Sequence, residues 1–171
     1  MNHLKYCPEC GQASLRWDNA NKLSCSQCQF VMYQNCAAAV AVIIRCGKEL
    51  MFTQRNQEPQ KGKLDLAGGF VDPKESAEEA CKRELWEELK YEIDLQKLKL
   101  LATQPNVYHY KNIDYNTLDL FFEYEVAEKF TAQLALDEID RIVWVEAHTI
   151  QLEDLAFDSQ KRFLKGYIGS L

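Results

Sequence analysis

Two Cys-x-x-Cys pairs near the start of the chain restrict its fold more than any other feature of the sequence. The first pair is Cys7 and Cys10, the second is Cys25 and Cys28, and 14 residues separate them. Pairs at about this spacing bring four thiolates around one tetrahedral zinc ion. The intervening SLRWDNANKLS is typical of two short strands around a turn at residues 18–21. The pattern therefore predicts a zinc ribbon over residues 1–33.

Four thiolate ligands leave no open coordination position, so we expect this zinc to be structural rather than catalytic. Its binding would provide folding free energy that so short a segment cannot obtain from a hydrophobic core. A redox-active dithiol pair and a rubredoxin-like iron site use the same ligands and remain alternatives. The other three cysteines stand in apolar or helical contexts and are expected to be small core residues in a reducing compartment: Cys36, Cys46 and Cys81.

The composition is that of a globular chain with one ordinary domain and a small appendage. The chain has 171 residues, of which 47% are hydrophobic, and a formal net charge of −6. That charge argues against nucleic-acid binding through a broad basic surface. No segment approaches the roughly 18 apolar residues of a membrane span, and the start MNHLKYC lacks the apolar region of a signal peptide. We expect a cytoplasmic protein without membrane contact.

Residues 34–171 are expected to form the second domain. Apolar runs predict strands at 36–46, 49–56, 118–126 and 141–147, and helices are predicted at 76–89 and 157–168. Strands interrupted by few helices favour an α/β fold, a mixed sheet with helices packed on its faces.

The predicted helix at 76–89 gathers three carboxylates along one edge. At the helical repeat they fall within an arc of about 100°: Glu84, Glu87 and Glu88. Like charges three or four residues apart repel each other unless a cation lies between them. A solvated acidic face is the ordinary explanation. Glu88, however, falls on the side expected to pack against the sheet, where an unpaired carboxylate is costly, and this favours a bound cation.

The stretch around this helix resembles the signature of the Nudix hydrolase family. The matching positions are Gly69, Glu75, Arg83, Glu84, Leu85, Glu87 and Glu88. The chain departs from the signature at Lys90, where the family has glycine, at Tyr91, where it has an apolar residue, and at Ala67, where proline is common. The resemblance implies an α/β/α sandwich around a mixed sheet. It also implies hydrolysis of a diphosphate linkage in a substrate that joins a nucleoside diphosphate to another group.

The resemblance further implies roles for individual residues. Glu84, Glu87 and Glu88 match ligands of a divalent metal, with the carbonyl of Gly68 in the position that often completes the set. Mg²⁺ and Mn²⁺ are the expected ions, since hard cations prefer oxygen ligands. Glu75 and Arg83 match a pair whose salt bridge steadies the loop and the helix.

Hydrolysis also requires a carboxylate that takes a proton from water. One of the helix glutamates could serve, or a distal acid could close over the site. Glu138 lies where the NADH pyrophosphatase branch of the family has a distal glutamate. Its neighbours Asp137 and Asp140 could substitute for it, and a solvated turn is the ordinary alternative.

A zinc ribbon before a Nudix domain is the arrangement of that branch, but one segment differs. The branch carries Ser-Gln-Pro-Trp-Pro-Phe-Pro after the helix, whereas this chain reads TQPNVYHYKNIDY. NADH is therefore one candidate substrate beside other dinucleotides, ADP-ribose and nucleotide sugars. Three tyrosines there could stack on a base, bridge the subunits of a homodimer or simply pack: Tyr108, Tyr110 and Tyr115. Arg55, Lys61 and Lys63 could bind phosphates or be ordinary surface charge.

Two other functions compete with hydrolysis: a Nudix regulator that binds a nucleotide without turnover, and a zinc-ribbon nucleic-acid adaptor. The complete glutamate set with its arginine favours the hydrolase. The adaptor should interleave basic and aromatic residues, and the ribbon offers only Arg16, Trp17 and Lys22.

Overall fold

The computed structural model describes residues 4–18, 21–111 and 113–171. Residues 19 and 20, the centre of the turn predicted in the ribbon, lie outside the described part of the chain. Within that part, no helix is long and apolar enough to cross a membrane.

The N-terminal segment forms a small antiparallel sheet in the order β1-β2-β3. Its strands are β1 (Leu15–Trp17), β2 (Lys22–Cys25) and β3 (Val31–Tyr33). The first two are the predicted strands, and the third follows the second cysteine pair. The small core of this sheet consists of Leu15 and Leu23 with two of the cysteines, Cys7 and Cys25. Of the three cysteines expected in the core, Cys81 is buried and Cys46 half-buried, but Cys36 is exposed just before β4, so the expectation is wrong for Cys36.

The second sheet has six strands in the order β6-β5-β4-β8-β7, with β9 also paired to β5. They are β4 (Ala37–Cys46), β5 (Glu49–Arg55), β6 (Leu64–Asp65), β7 (Lys99–Tyr110), β8 (Ile113–Glu125) and β9 (Ile139–Glu146). The pairing of β4 with β8 is parallel, and the other pairings are antiparallel. The predicted mixed sheet is therefore confirmed.

Helices α1 (Ala77–Leu89) and α2 (Asp158–Ile168) cover opposite faces of this sheet. Alternate residues of β4 face opposite sides of the sheet. Accordingly, Val42 belongs to one buried cluster with Leu85 of α1, and Ile43 belongs to the other with Leu164 of α2. All four side chains are fully buried, and each such burial is worth about 1.5–3 kcal/mol. The α/β/α arrangement follows. Short 3₁₀ helices lie at Leu95–Lys97, Ala147–Thr149 and Leu152–Asp154.

Strand β7 is the longest of three strands that the sequence did not predict, the others being the short β3 and β6. It includes most of the segment that departs from the NADH pyrophosphatase branch, and β8 begins earlier than expected, so that the two form a long hairpin. Because β7 pairs only with β8, it is an edge strand, where Pro105 is tolerated despite its missing N–H. Its residues are half-buried or exposed, which explains the absence of a clear apolar pattern.

Candidate active site

Helix α1 has a defined cap at each end, Ser76 at its N-terminus and Lys90 at its C-terminus. The hydroxyl of Ser76 accepts a hydrogen bond from the Glu79 amide at 3.1 Å, and the Glu79 carboxylate accepts one from the Ser76 amide at 2.8 Å. This is the predicted capping box. At the other end, Lys90 has a φ of 52°, a left-handed conformation that favours glycine. Lys90 thus adopts a conformation that glycine adopts more easily, and the helix ends after Leu89.

Arg83 organises the acidic edge of α1. Its guanidinium binds the Glu75 carboxylate through two nitrogen–oxygen contacts of 2.9 Å each. The same group donates to Glu84 at 2.8 Å, to Glu87 at 3.1 Å and to the backbone carbonyl of Phe70 at 2.9 Å. These hydrogen bonds lower the pKa of Glu75 and raise that of Arg83. The predicted Glu75–Arg83 salt bridge is therefore present in the structure.

Glu88 lacks such a partner. Among the described residues, no lysine or arginine forms an ion pair with it, and its carboxylate accepts only the backbone N–H of Gly68, at 3.2 Å. Desolvation raises the pKa of Glu88 well above its ordinary value, and the charges of Asp65 and Glu84 raise it further. A cation beside this carboxylate would relieve both effects, so its surroundings fit a metal ligand.

The three helix glutamates do not converge on one point in this structure. Among the described residues, the four ribbon cysteines are the only group of potential ligands whose donor atoms all lie within 4.8 Å of one another. Arg83 holds the carboxylates of Glu84 and Glu87, so these side chains must reorient to share an ion with Glu88. Their oxygen chemistry nevertheless suits Mg²⁺ or Mn²⁺.

Gly68 lies against β4, and its backbone requires glycine. Its φ is 147°, and a Cβ atom on it would lie 2.1 Å from the carbonyl oxygen of Val40. The next residue, Gly69, accepts a hydrogen bond from the Val40 amide at 2.8 Å. This close approach places the Gly68 amide where it donates its hydrogen bond to the Glu88 carboxylate.

A cleft of about 380 Å³ opens between the acidic edge of α1 and the start of α2. It is lined by eight of the predicted site residues: Arg55, Gly68, Arg83, Glu84, Glu87, Glu88, Tyr108 and Glu138. Glu75 does not line the cleft, but it contacts Arg83, which does.

The loop that carries Glu138 is held at the end of α1. The Ala135 amide donates to the Glu88 carbonyl at 3.0 Å, and the Gln133 amide donates to the Leu89 carbonyl at 3.1 Å. Desolvation raises the pKa of Glu84, and the negative charge of Glu138 adds a smaller contribution in the same direction. Glu138 therefore lies close enough to Glu84 for their charges to repel, and it lines the cleft, whereas Asp137 and Asp140 do not.

The basic residues separate into two groups. Arg55 lines the cleft, where its guanidinium donates to Asp65 at 2.6 Å and lies over the Phe157 ring at 5.1 Å. Lys63 instead donates to the Glu153 carbonyl at 2.9 Å. Neither Lys61 nor Lys63 lines the cleft, and the same is true of Tyr110 and Tyr115.

The cleft also contains buried polar residues that the sequence analysis missed. Asp119 is buried on β8 and accepts hydrogen bonds from Thr117 and Ser159, both at 2.6 Å. Asp65 is also buried and accepts one from Gln160 at 2.6 Å. Burial raises the pKa of Asp65, and the charge of Arg55 opposes that rise. The available signal was an aspartate within each of two otherwise apolar runs, LDLFF and LDLA.

The ribbon cysteines have the geometry of a four-thiolate zinc site. The Sγ atoms of Cys7 and Cys28 are 3.6 Å apart, and those of Cys10 and Cys25 are 3.7 Å apart. Tetrahedral zinc with Zn–S bonds of about 2.3 Å requires sulfurs about 3.8 Å apart. The Ser14 hydroxyl, which contacts the Cys25 sulfur at 3.0 Å, is the main cause that lowers the Cys25 pKa to about 6. Desolvation and hydrogen bonds to the other three cysteines instead raise the pKa of Cys28, so the fit to zinc rests on the spacing of the four sulfurs.

The sequence matches a known family and is similar to several characterised proteins. A family model described as NUDIX domain matches residues 35–167. The NAD-capped RNA hydrolase NudC of Haemophilus influenzae strain PittGG is 27% identical over 111 residues, which cover 61% of this chain and 41% of that protein. NudC of Pseudomonas putida strain GB-1 is 29% identical over 102 residues, covering 58% of this chain and 35% of that protein. The chain thus spans less than half the length of these curated relatives.

Two solved structures share the fold. A NUDIX hydrolase from Nitrosomonas europaea has a TM-score of 0.72 at 20% identity, covering 98% of this chain and 92% of that one. The NUDIX domain of Shewanella oneidensis NrtR, solved in complex with ADP ribose, has a TM-score of 0.62 at 17% identity. That match covers 81% of this chain and 91% of the other.

Proposed function

The chain belongs to the Nudix family, and on that premise we propose that it hydrolyses the diphosphate linkage of a nucleoside-diphosphate-linked substrate. The observation that carries the proposal is the acidic edge of α1, which lines a cleft opposite Arg55. A regulator that only binds its ligand has no need of three carboxylates beside a clamped arginine. The candidate substrates are dinucleotides such as NADH, ADP-ribose and nucleotide sugars.

We assign the catalytic metal site to Glu84, Glu87, Glu88 and the Gly68 carbonyl. Bound Mg²⁺ or Mn²⁺ would neutralise charge on the phosphate oxygens and lower the pKa of a coordinated water molecule. Glu75 orients Arg83, which fixes the loop and helix relative to each other. The undercompensated carboxylate of Glu88 supports this assignment, because a cation is what its environment lacks.

The remaining residues of the cleft would bind the substrate and accept a proton. We propose that Arg55, rather than Lys61 or Lys63, binds a phosphate, since of these three it alone lines the cleft. Tyr108 presents a ring to the same cleft and would contact the base or the sugar. Glu138 is our candidate for the group that removes a proton from the attacking water, because its loop is anchored beside the helix glutamates.

We propose a structural zinc ion at Cys7, Cys10, Cys25 and Cys28, and retain residues 1–33 and 34–171 as the two domains. A homodimer is a further proposal. It is supported by exposed apolar residues along the edge strand β7, namely Leu100, Leu101 and Val107, which an isolated chain leaves in water. None of the seven cysteines, all of them within the described residues, forms a disulfide, and we propose the reducing cytoplasm as the location.

The decisive experiment is a substrate panel in Mg²⁺ or Mn²⁺, with products identified by mass spectrometry. The panel contains NADH, ADP-ribose, nucleotide sugars and nucleoside triphosphates. It also includes NAD-capped RNA, because two similar proteins carry that activity in their names. Cleavage between the two phosphorus atoms, abolished by chelation, is the expected result. Tight nucleotide binding without any cleavage would instead identify a regulator.

A further inference from the structure

One polar atom near the cleft has no hydrogen-bond partner among the described residues. The side chain of Gln160, in the first turn of α2, is buried, with only 5% of the residue exposed. Its amide nitrogen donates to Asp65, but its amide oxygen Oε1 is buried and unpaired. A buried acceptor left unsatisfied is destabilising, and such groups are rare in folded proteins.

The orientation of this amide follows from its neighbours. One oxygen of the Asp65 carboxylate accepts from Arg55 at 2.6 Å, and the other accepts from Gln160 at 2.6 Å. A carboxylate paired with arginine is an acceptor only, so the glutamine must turn its NH₂ group toward Asp65. A flipped amide would set two acceptor oxygens against each other. The unpaired oxygen is therefore a consequence of the Arg55–Asp65 pair.

Contacts connect Gln160 to an aromatic wall of the cleft. Arg55, which holds Asp65, lies over the ring of Phe157 at 5.1 Å. That ring in turn lies 5.7 Å from the ring of Tyr108. Both aromatic residues and Gln160 line the cleft. Aromatic rings of this kind favour a flat ring system, whose polar edge then needs partners of its own.

We propose that Gln160 is a specificity-determining residue whose Oε1 accepts a hydrogen bond from the exocyclic amine of a nucleobase held against Phe157 and Tyr108. With its NH₂ group held by Asp65, the side chain has only Oε1 left to offer to a donor that enters the cleft. An adenine presents such an amine, whereas a hypoxanthine presents a carbonyl oxygen at the same position. This inference rests on the proposed function only in requiring that the cleft binds a nucleotide.

The test compares ligands that differ in that one group. Turnover of ADP-ribose and of its hypoxanthine analogue is measured in Mg²⁺, and binding of AMP and IMP to the full chain is measured by calorimetry. Three proteins are used: the wild type, Gln160→Met, and the matched control Gln96→Met on an exposed 3₁₀ helix. Methionine keeps the length of the side chain and removes the acceptor.

We expect the wild type and Gln96→Met to prefer the adenine ligand by about tenfold or more, and Gln160→Met to bring the ratio toward one. A wild type that does not distinguish AMP from IMP overturns the inference, even if Gln160→Met does not fold. An equal loss for both ligands in Gln160→Met also overturns it, since a purely structural role would give that result. Discrimination in binding without hydrolysis would sustain the inference and refute the proposed function.

Discussion

Arg83 forms two nitrogen–oxygen contacts of 2.9 Å with the Glu75 carboxylate. Glu75 lies in the loop before α1, and Arg83 lies within the helix. The paired geometry fixes the guanidinium plane. Because the same guanidinium also contacts Glu84 and Glu87, we expect Glu75 to influence the positions of these two carboxylates.

Glu75→Gln should therefore weaken catalysis although Glu75 does not line the cleft. We expect a loss of about tenfold or more in kcat/KM, because small displacements of catalytic groups are costly. The exposed Glu92→Gln serves as the control and should leave the rate unchanged. Wild-type rates in Glu75→Gln would show that the Arg83 clamp has no role in the reaction.

The same pair should contribute to stability in a pH-dependent way. Arg83 lowers the pKa of Glu75 below its ordinary 4.5, so the pair stabilises the protein fully above that pH. As the pH falls through the lowered pKa, the folded protein takes up the proton and the stabilisation disappears. Denaturant melts of the wild type and Glu75→Gln should thus differ at pH 7 and approach each other as the pH falls below 4.5 and through the lowered pKa of Glu75. A difference that grows toward acid pH would contradict this sign.

Glu87→Gln should abolish most activity and leave the fold intact. The change preserves size and helix propensity and removes one charge, so an exposed glutamate without a role would lose almost nothing. A metal ligand should lose about 10²–10³ in rate. The measurement is turnover across a Mg²⁺ titration beside a melting curve, with the exposed Glu78→Gln on the same helix as control. Normal rates at low Mg²⁺ would exclude this edge as the metal site.

Glu138→Gln should lower kcat with little change in the Mg²⁺ concentration required. A group that takes a proton from water typically contributes about 10²–10⁴ in rate. Asp137→Asn, one residue away and outside the cleft, is the matched control. If Asp137→Asn or Asp140→Asn loses as much activity as Glu138→Gln, the assignment of the base is wrong.

Arg55→Lys should raise the KM by about tenfold, since lysine keeps the charge but loses the planar fork that matches phosphate. Lys61→Met should leave the KM within about twofold of the wild type, because Lys61 is exposed and outside the cleft. The measurement is the KM of each variant and of the wild type for the best substrate of the panel, from steady-state kinetics. Equal effects of the two changes would point to a general electrostatic attraction rather than a contact.

Cys25→Ser should release zinc and lower the melting temperature without changing the Mg²⁺ dependence of the remaining activity. The metal contributes folding free energy to a segment with a very small core. Metal analysis should find about one zinc per chain in the wild type and in the control Cys36→Ser, whose cysteine is exposed and outside the cluster. The absorption spectrum of bound iron in the wild type would show that the cluster is a rubredoxin-like iron site and not a zinc site.

The sequence alone predicted features that depend on residues close together in the chain. The capping box joins Ser76 to Glu79, and the acidic edge joins residues three or four apart on one helix. The cysteine pairs are similarly local, since the turn within each Cys-x-x-Cys segment brings its own two sulfurs together. Such arrangements follow from backbone geometry that is the same in every helix or tight turn, so spacing is enough to recognise them.

Only the tertiary structure decided which other residues share the cleft. Arg55 and Lys61 are six positions apart and similar in charge, yet only Arg55 lines the cleft, where it meets Asp65. Gln160 reaches Asp65 across 95 positions of the chain. These contacts exist because α2 packs on the face of the sheet opposite α1 and places its first turn at the cleft. Pairing between distant segments is set by how their buried faces fit together, and no local spacing in the sequence records that fit.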